Sequence, residues 1–147
     1  MDLLKRTTDY AELYEQDETA WLEEMARLVE ARRWDAIDVA HLSEYLTDMA
    51  KRDRREVVSR LQVLLTHMLK WEHQSAHRTS SWVATIRTQR YDLIDLLDSG
   101  TLRRHADEAL AKAYERAVAV AVDETGLPAK TFPAECPWTV EQILAER

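Results

Sequence analysis

VVSRLQVLLTHML, residues 57–69, is the stretch on which the fold turns. Val57, Val58, Leu61, Leu64, Leu65, Met68 and Leu69 recur at intervals of three and four, the spacing that stacks side chains on one face of a helix. The apolar strip is broad, so this helix is expected to be the most buried element of the chain.

Toward the N-terminus, Asp53-Arg54-Arg55-Glu56 has the spacing of a capping box, with Asp in place of Ser or Thr, and predicts a restart or kink before residue 57. Upstream of it Asp38 is placed to cap a helix whose stripe is Val39, Leu42, Tyr45, Leu46 and Met49. Earlier still, Asp17 precedes Trp21, Leu22, Met25, Leu28 and Val29. These predict a helix over 18–33 with acids at its start and Arg32 and Arg33 at its end, as the helix dipole favours. Residues 1–16 are left as an N-terminal arm.

Toward the C-terminus, the buried helix should end near His73 or Gln74, and Ser80 or Ser81 can cap the next. Trp82, Ile86, Leu93, Ile94 and Leu97 line that helix. Ser99-Gly100-Thr101 breaks it, and a long run of small residues from Leu102 to Val122 follows, ended by Gly126. Its alanines allow close helix–helix approach. Pro128, Pro133 and Pro137 exclude a regular helix from the tail until Thr139-Val140-Glu141-Gln142 offers a second capping box. Phe132 and Trp138 are expected to pin this tail. The expectation is an all-α single domain over residues 1–147. It would be a bundle of about five major helices, with a Pro-rich tail over 127–147 and a short terminal helix.

Composition narrows the class. The 147 residues are 46% hydrophobic and 32% charged, with two glycines and three prolines, a balance suited to long helices in a chain large enough for its own core. Cys136 is the only cysteine and no basic-then-apolar leader opens the chain, so a cytoplasmic protein is expected. The longest apolar run, around Leu61 to Leu69, is interrupted by Gln62, Thr66 and His67 and falls short of the roughly 18 residues a membrane span needs. Net charge is −7, unevenly spread: Lys51 to Arg90 carries nine Lys or Arg against three acids. Such a basic centre either binds a polyanion or neutralises its acidic flanks within the fold, and the second use is the commoner in helical proteins.

Three constellations carry candidate chemistry. His41, Glu44 and Asp48 share a helical stripe, and carboxylates with histidine facing a bundle interior are a way to bind metal. A solvated flank has the same pattern, and the stripe supplies only half a site. Lys70, His73, His77 and Arg78 lie beside Trp71 and Trp82, and cations interleaved with aromatics can hold single-stranded nucleic acid. The plainer alternative is that the two indoles pack across a helix–turn–helix corner, leaving the cations as a contact surface. His67, His73 and His77 do not share one helix face, since six residues rotate His73 about 120° from His67. Cys136 precedes a helix start, where a thiolate is favoured, but Pro137 and Trp138 suit a packed tail equally. No glycine-rich turn, P-loop or dinucleotide fingerprint occurs, so no cofactor is expected. Arg87 and Arg90 straddle the apolar stripe of their helix and should seek carboxylates, for which Glu44 and Asp48 are candidates.

The order of several unusual residues adds to this. Tyr14-Glu15-Gln16-Asp17 with Trp21-Leu22, His67 with Leu69-Lys70-Trp71, Ser81-Trp82 with Gln89-Arg90, Glu124-Thr125-Gly126-Leu127, and Cys136-Pro137-Trp138 together resemble the bacterial domain of unknown function 29 family. The resemblance runs from about Tyr14 to Leu144 and implies an all-helical cytoplasmic protein with no assigned activity. Where that family commonly has a Gln-Pro corner after Lys-Trp, Ser75 follows Gln74 here. The expected function is a noncatalytic interaction module that forms a homodimer or binds a protein partner. A nucleic-acid-associated protein using the basic 51–90 segment and a metal-dependent bundle enzyme are the alternatives.

Overall fold

The computed structural model describes residues 9–145. It is all-α: α1 (Tyr10–Gln16), α2 (Glu18–Glu30), α3 (Val39–His73), α4 (Ser80–Leu96), α5 (Gly100–Thr125) and α6 (Val140–Leu144), with no strand among the described residues. None of these helices is long and apolar enough to cross a membrane. The contacts divide the chain into two compact units, Met1–Lys51 and Arg52–Arg147.

In the first unit, α1 lies in what the sequence suggests is an arm. Asp9 caps it, accepting from the Glu12 N–H at 3.3 Å. Asp17 then serves two helices: its backbone N–H bonds to the Leu13 carbonyl at the end of α1, and its carboxylate accepts from the Ala20 N–H to open α2. The core is aromatic. Trp21, Met25 and Leu28 are buried, and the rings of Tyr14 and Tyr45 lie 4.8 and 6.0 Å from that of Trp21.

Helix α2 stops at Glu30, short of the expected Arg33, through a left-handed cap without glycine. Arg32 has φ 55°, with its N–H on the Val29 carbonyl and that of Arg33 on Leu28.

Helix α3 is continuous through the expected restart at Asp53. The capping-box spacing is also the spacing of an ordinary side-chain pair inside a helix, and residues 49–56 hold neither Gly nor Pro. From Val57 onward the helix forms the centre of the second unit, with Val57, Leu61, Leu64, Leu65 and Leu69 fully buried. Around it pack Leu93 of α4 and Ala106, Ala113, Ala117 and Ala121, which form one buried seam of α5. Phe132, Trp138, Val140 and Ile143 complete this core, so the tail is pinned as its aromatics suggest.

The ends of these helices follow local chemistry. Thr79, rather than Ser80 or Ser81, caps α4 by accepting from the Trp82 N–H. Ser99 caps α5, and Gly126 closes it at φ 71° with its N–H on the Val122 carbonyl. Thr139 and Gln142 form the expected reciprocal capping box of α6.

Candidate functional site

The corner between α3 and α4 holds the residues the sequence marks as a contact surface. Helix α3 ends at His73, and Ser75–His77 form a short 3-10 turn without the help of proline. Arg78 then folds back. Its Nε donates to the Trp71 carbonyl at 2.9 Å, satisfying an acceptor of the last helical turn, and its guanidinium lies 4.4 Å over the Trp71 ring. Lys70 reaches the other way, with Nζ 2.8 Å from Glu124 of α5 and 4.6 Å from the Trp82 ring centre.

Each tryptophan is therefore paired with a cation of its own chain, and among the described residues no ring contact joins Trp71 to Trp82. One face of each indole is covered by a cation of the chain, so a base stacking there would have to displace Arg78 or Lys70. The three histidines go separate ways. His67 Nδ1 donates to the Val63 carbonyl, His73 meets Phe132 edge-on at 5.1 Å, and His77 is exposed in the turn.

Two further cations of the basic segment have partners within the fold. Arg60 pairs with Glu56 at 2.8 Å and with Asp92 of α4 at 2.7 Å. Arg90 is buried, and its Nε donates to the Ile143 carbonyl of α6, which ties α4 to the terminal helix. Arg60, Lys70 and Arg90 thus join α3 to α4, α3 to α5 and α4 to α6.

In the first unit, His41 Nδ1 donates to Asp38 at 2.8 Å, and the same carboxylate oxygen accepts the Trp21 indole N–H at 3.2 Å. The Tyr14 ring lies 4.6 Å from the imidazole. Glu44 and Asp48 are exposed, and no three His, Cys, Asp or Glu among the described residues gather closely enough to hold a metal ion. His41, Glu44 and Asp48 thus share a helix without sharing a site.

Cys136 is half-buried and its thiol donates to the Trp138 carbonyl at 3.3 Å. Burial pushes the thiol up, which keeps it protonated and poorly nucleophilic. Beside it, burial first, and then the negative charge that Cys136 acquires once it ionises at high pH, raise the Tyr114 hydroxyl to about 12, and that hydroxyl donates to the Pro133 carbonyl at 2.6 Å. These two side chains, with His73, Lys130, Phe132 and Glu135, line a broad groove of about 1230 Å³. Its cysteine and tyrosine are both spent on main-chain carbonyls.

The feature that periodicity misplaces lies on α4. Ile94, expected in the buried stripe with Leu93 and Leu97, is 44% exposed, and Val83 is 42% exposed. Next to Val83 is a small cavity of about 170 Å³, lined by Met68, Trp71, Glu72, Val83, Ile86, Arg87 and Arg90. Helix α4 therefore buries one flank and leaves an apolar strip in solvent. Val83, Arg87 and Ile94 share this outer face, being spaced by four and seven residues.

The model of the family described as Domain of unknown function DUF29 matches residues 13–147, nearly the whole chain, and the chain belongs to that family. Neither the curated proteins nor the solved structures contain a match.

Proposed function

We propose that this family member is a noncatalytic protein-interaction module, binding either a second copy of itself or another protein through the outer face of α4. The supporting observation is the pair Val83 and Ile94, both more than two-fifths exposed on one helix of a unit that otherwise buries its large aliphatic side chains well. Isolated exposed apolar residues are ordinary, but these two are aligned along one helix, eleven residues apart, and Val83 borders a cavity, which supports a surface that another protein covers. The absence of any assigned activity for the family is compatible with such a role. A cytoplasmic setting fits the one free cysteine.

A photoreactive residue at position 94, in the chain expressed in its native cells, tests this. Discrete cross-linked adducts to protein are expected from position 94 and not from exposed Lys112 on α5. Equal or absent cross-linking at the two positions overturns the reading. A salt-dependent gel shift with single-stranded RNA or DNA, lost in Lys70→Ala plus Arg78→Ala, would favour a nucleic-acid role instead.

A further inference from the structure

The outer face of α4 carries charge as well as apolar surface. Arg87, Tyr91, Ile94 and Asp98 follow one another at intervals of four, three and four. That spacing keeps them within about 60° of arc on a helix, and Asp98 continues it in the turn just after the Leu97 cap. Arg87 and Asp98 are exposed, and Tyr91 and Ile94 between them are 50% and 44% exposed.

Arg87 and Asp98 differ from the charges described above. Arg60 and Lys70 have carboxylate partners on other helices, and Arg90 donates to a main-chain carbonyl. Among the described residues no ion pair or hydrogen bond engages the side chain of Arg87 or Asp98. The strip reads cation, apolar, apolar, anion from its N-terminal to its C-terminal end. A partner helix must present the reverse order, and α4 itself presents it when turned antiparallel.

We infer that α4 pairs antiparallel with α4 of a second copy of this chain, about a two-fold axis midway between Tyr91 and Ile94. This inference rests on the interaction reading above and names its partner. In that register Arg87 of one copy faces Asp98 of the other, twice by symmetry, while Tyr91 and Ile94 cover each other. Such a contact is isologous, so it closes at two copies and does not propagate. Antiparallel helix dipoles favour the same arrangement, and a parallel pairing would set like charges together. The charge-bracketed strip spans only about 16 Å of helix, so the interface lies at the small end of specific interfaces and the dimer forms in the micromolar range or weaker.

Sedimentation velocity over a concentration series tests it with Arg87→Glu and Asp98→Arg, circular dichroism first verifying that each variant keeps its helix content. For the wild type the average mass rises from 17.1 kDa toward twice that value with concentration. Each single reversal places like charges together and weakens association about tenfold or more. An equimolar mixture of the two variants restores it, because in the mixed pair both contacts are again between opposite charges. The double variant R87E/D98R restores it too. Loss of fold cannot be rescued by mixing two defective chains, so rescue identifies the interface. Single variants that associate as tightly as wild type, or a mixture that stays monomeric, overturn the pairing. A wild type that stays at 17.1 kDa throughout overturns it also. The two readings fail separately: cross-links from position 94 to an unrelated protein sink the α4 pairing and leave the interaction module standing, whereas no cross-links sink the module.

Discussion

The two compact units bury their cores by different means. The smaller, Met1–Lys51, has three buried apolar side chains among its described residues, one of them Trp21, whose indole packs against tyrosine rings and donates to Asp38. The larger, Arg52–Arg147, encloses an aliphatic column on α3 and a seam of alanines on α5, with ion pairs between its helices. A short chain segment has little apolar area to remove from water, so one large aromatic must do much of the work and its polar edge must be satisfied. A longer segment spreads the same task over many aliphatic side chains, no one of which dominates.

This contrast breaks hardest at its centre. Trp21→Ala should cost about 3–5 kcal/mol, removing the indole and one hydrogen bond to Asp38, and hydrogen exchange should show protection lost across residues 10–45. Leu65→Ala removes one member of a column and should cost about 2–4 kcal/mol, read as a lower urea midpoint for the 57–144 amides. If Leu65→Ala proves costlier than Trp21→Ala, the contrast between a concentrated and a distributed core is lost.

A pH series sharpens the same comparison on the larger unit. The fold holds the Tyr114 hydroxyl neutral, with its ionisation raised from 10.0 to about 12. That contribution is full below pH 10 and is lost as pH rises from there through about 12, an upper bound of roughly 2.7 kcal/mol for a two-unit shift. Urea midpoints of wild type should therefore fall across that window more steeply than those of Tyr114→Phe. Parallel profiles would show that the hydroxyl contributes nothing to alkaline sensitivity.

The smallest effects concern two helix ends of like geometry. Arg32 and Gly126 both take a left-handed conformation, but only one of them is glycine. Arg32→Gly should stabilise by about 0.5–1 kcal/mol, and Gly126→Ala should destabilise by about 1 kcal/mol. No neighbour lies within 4 Å of an added Cβ at Gly126, so the cost there is conformational rather than steric. Thermal melts that move in the same direction for both variants would contradict this assignment.

What could be read from residues alone was local. The 57–69 stripe, the Gly126 stop and the Thr139–Gln142 box each declare themselves within a few residues, and each is present in the fold. Helix α1 leaves little trace in the sequence because it has seven residues and none is buried; Tyr10 acquires its partner through Glu24 of α2, and Tyr14 through Trp21 of α2 and His41 of α3. The false restart at Asp53 arose because a cap and a mid-helix pair have the same spacing. At the corner, Lys70 is fixed by Glu124, fifty-four positions away, which no periodicity can reveal. The exposure of Ile94 is hidden for a related reason: a stripe has a direction in the sequence, but its buried width is set by what packs on it.

The alanine seam of α5 bears on how the chain can vary over time. Ala106, Ala113, Ala117 and Ala121 have no accessible surface. Any replacement except glycine enlarges the side chain, and overfilling a closed contact costs about 1–3 kcal/mol, while glycine weakens the helix itself. Drift at these four sites therefore has no neutral neighbour in either direction. A larger residue there requires a prior loss of volume on the facing surface, so changes along this seam should arise in compensated pairs, in a fixed order, with the shrinking step first.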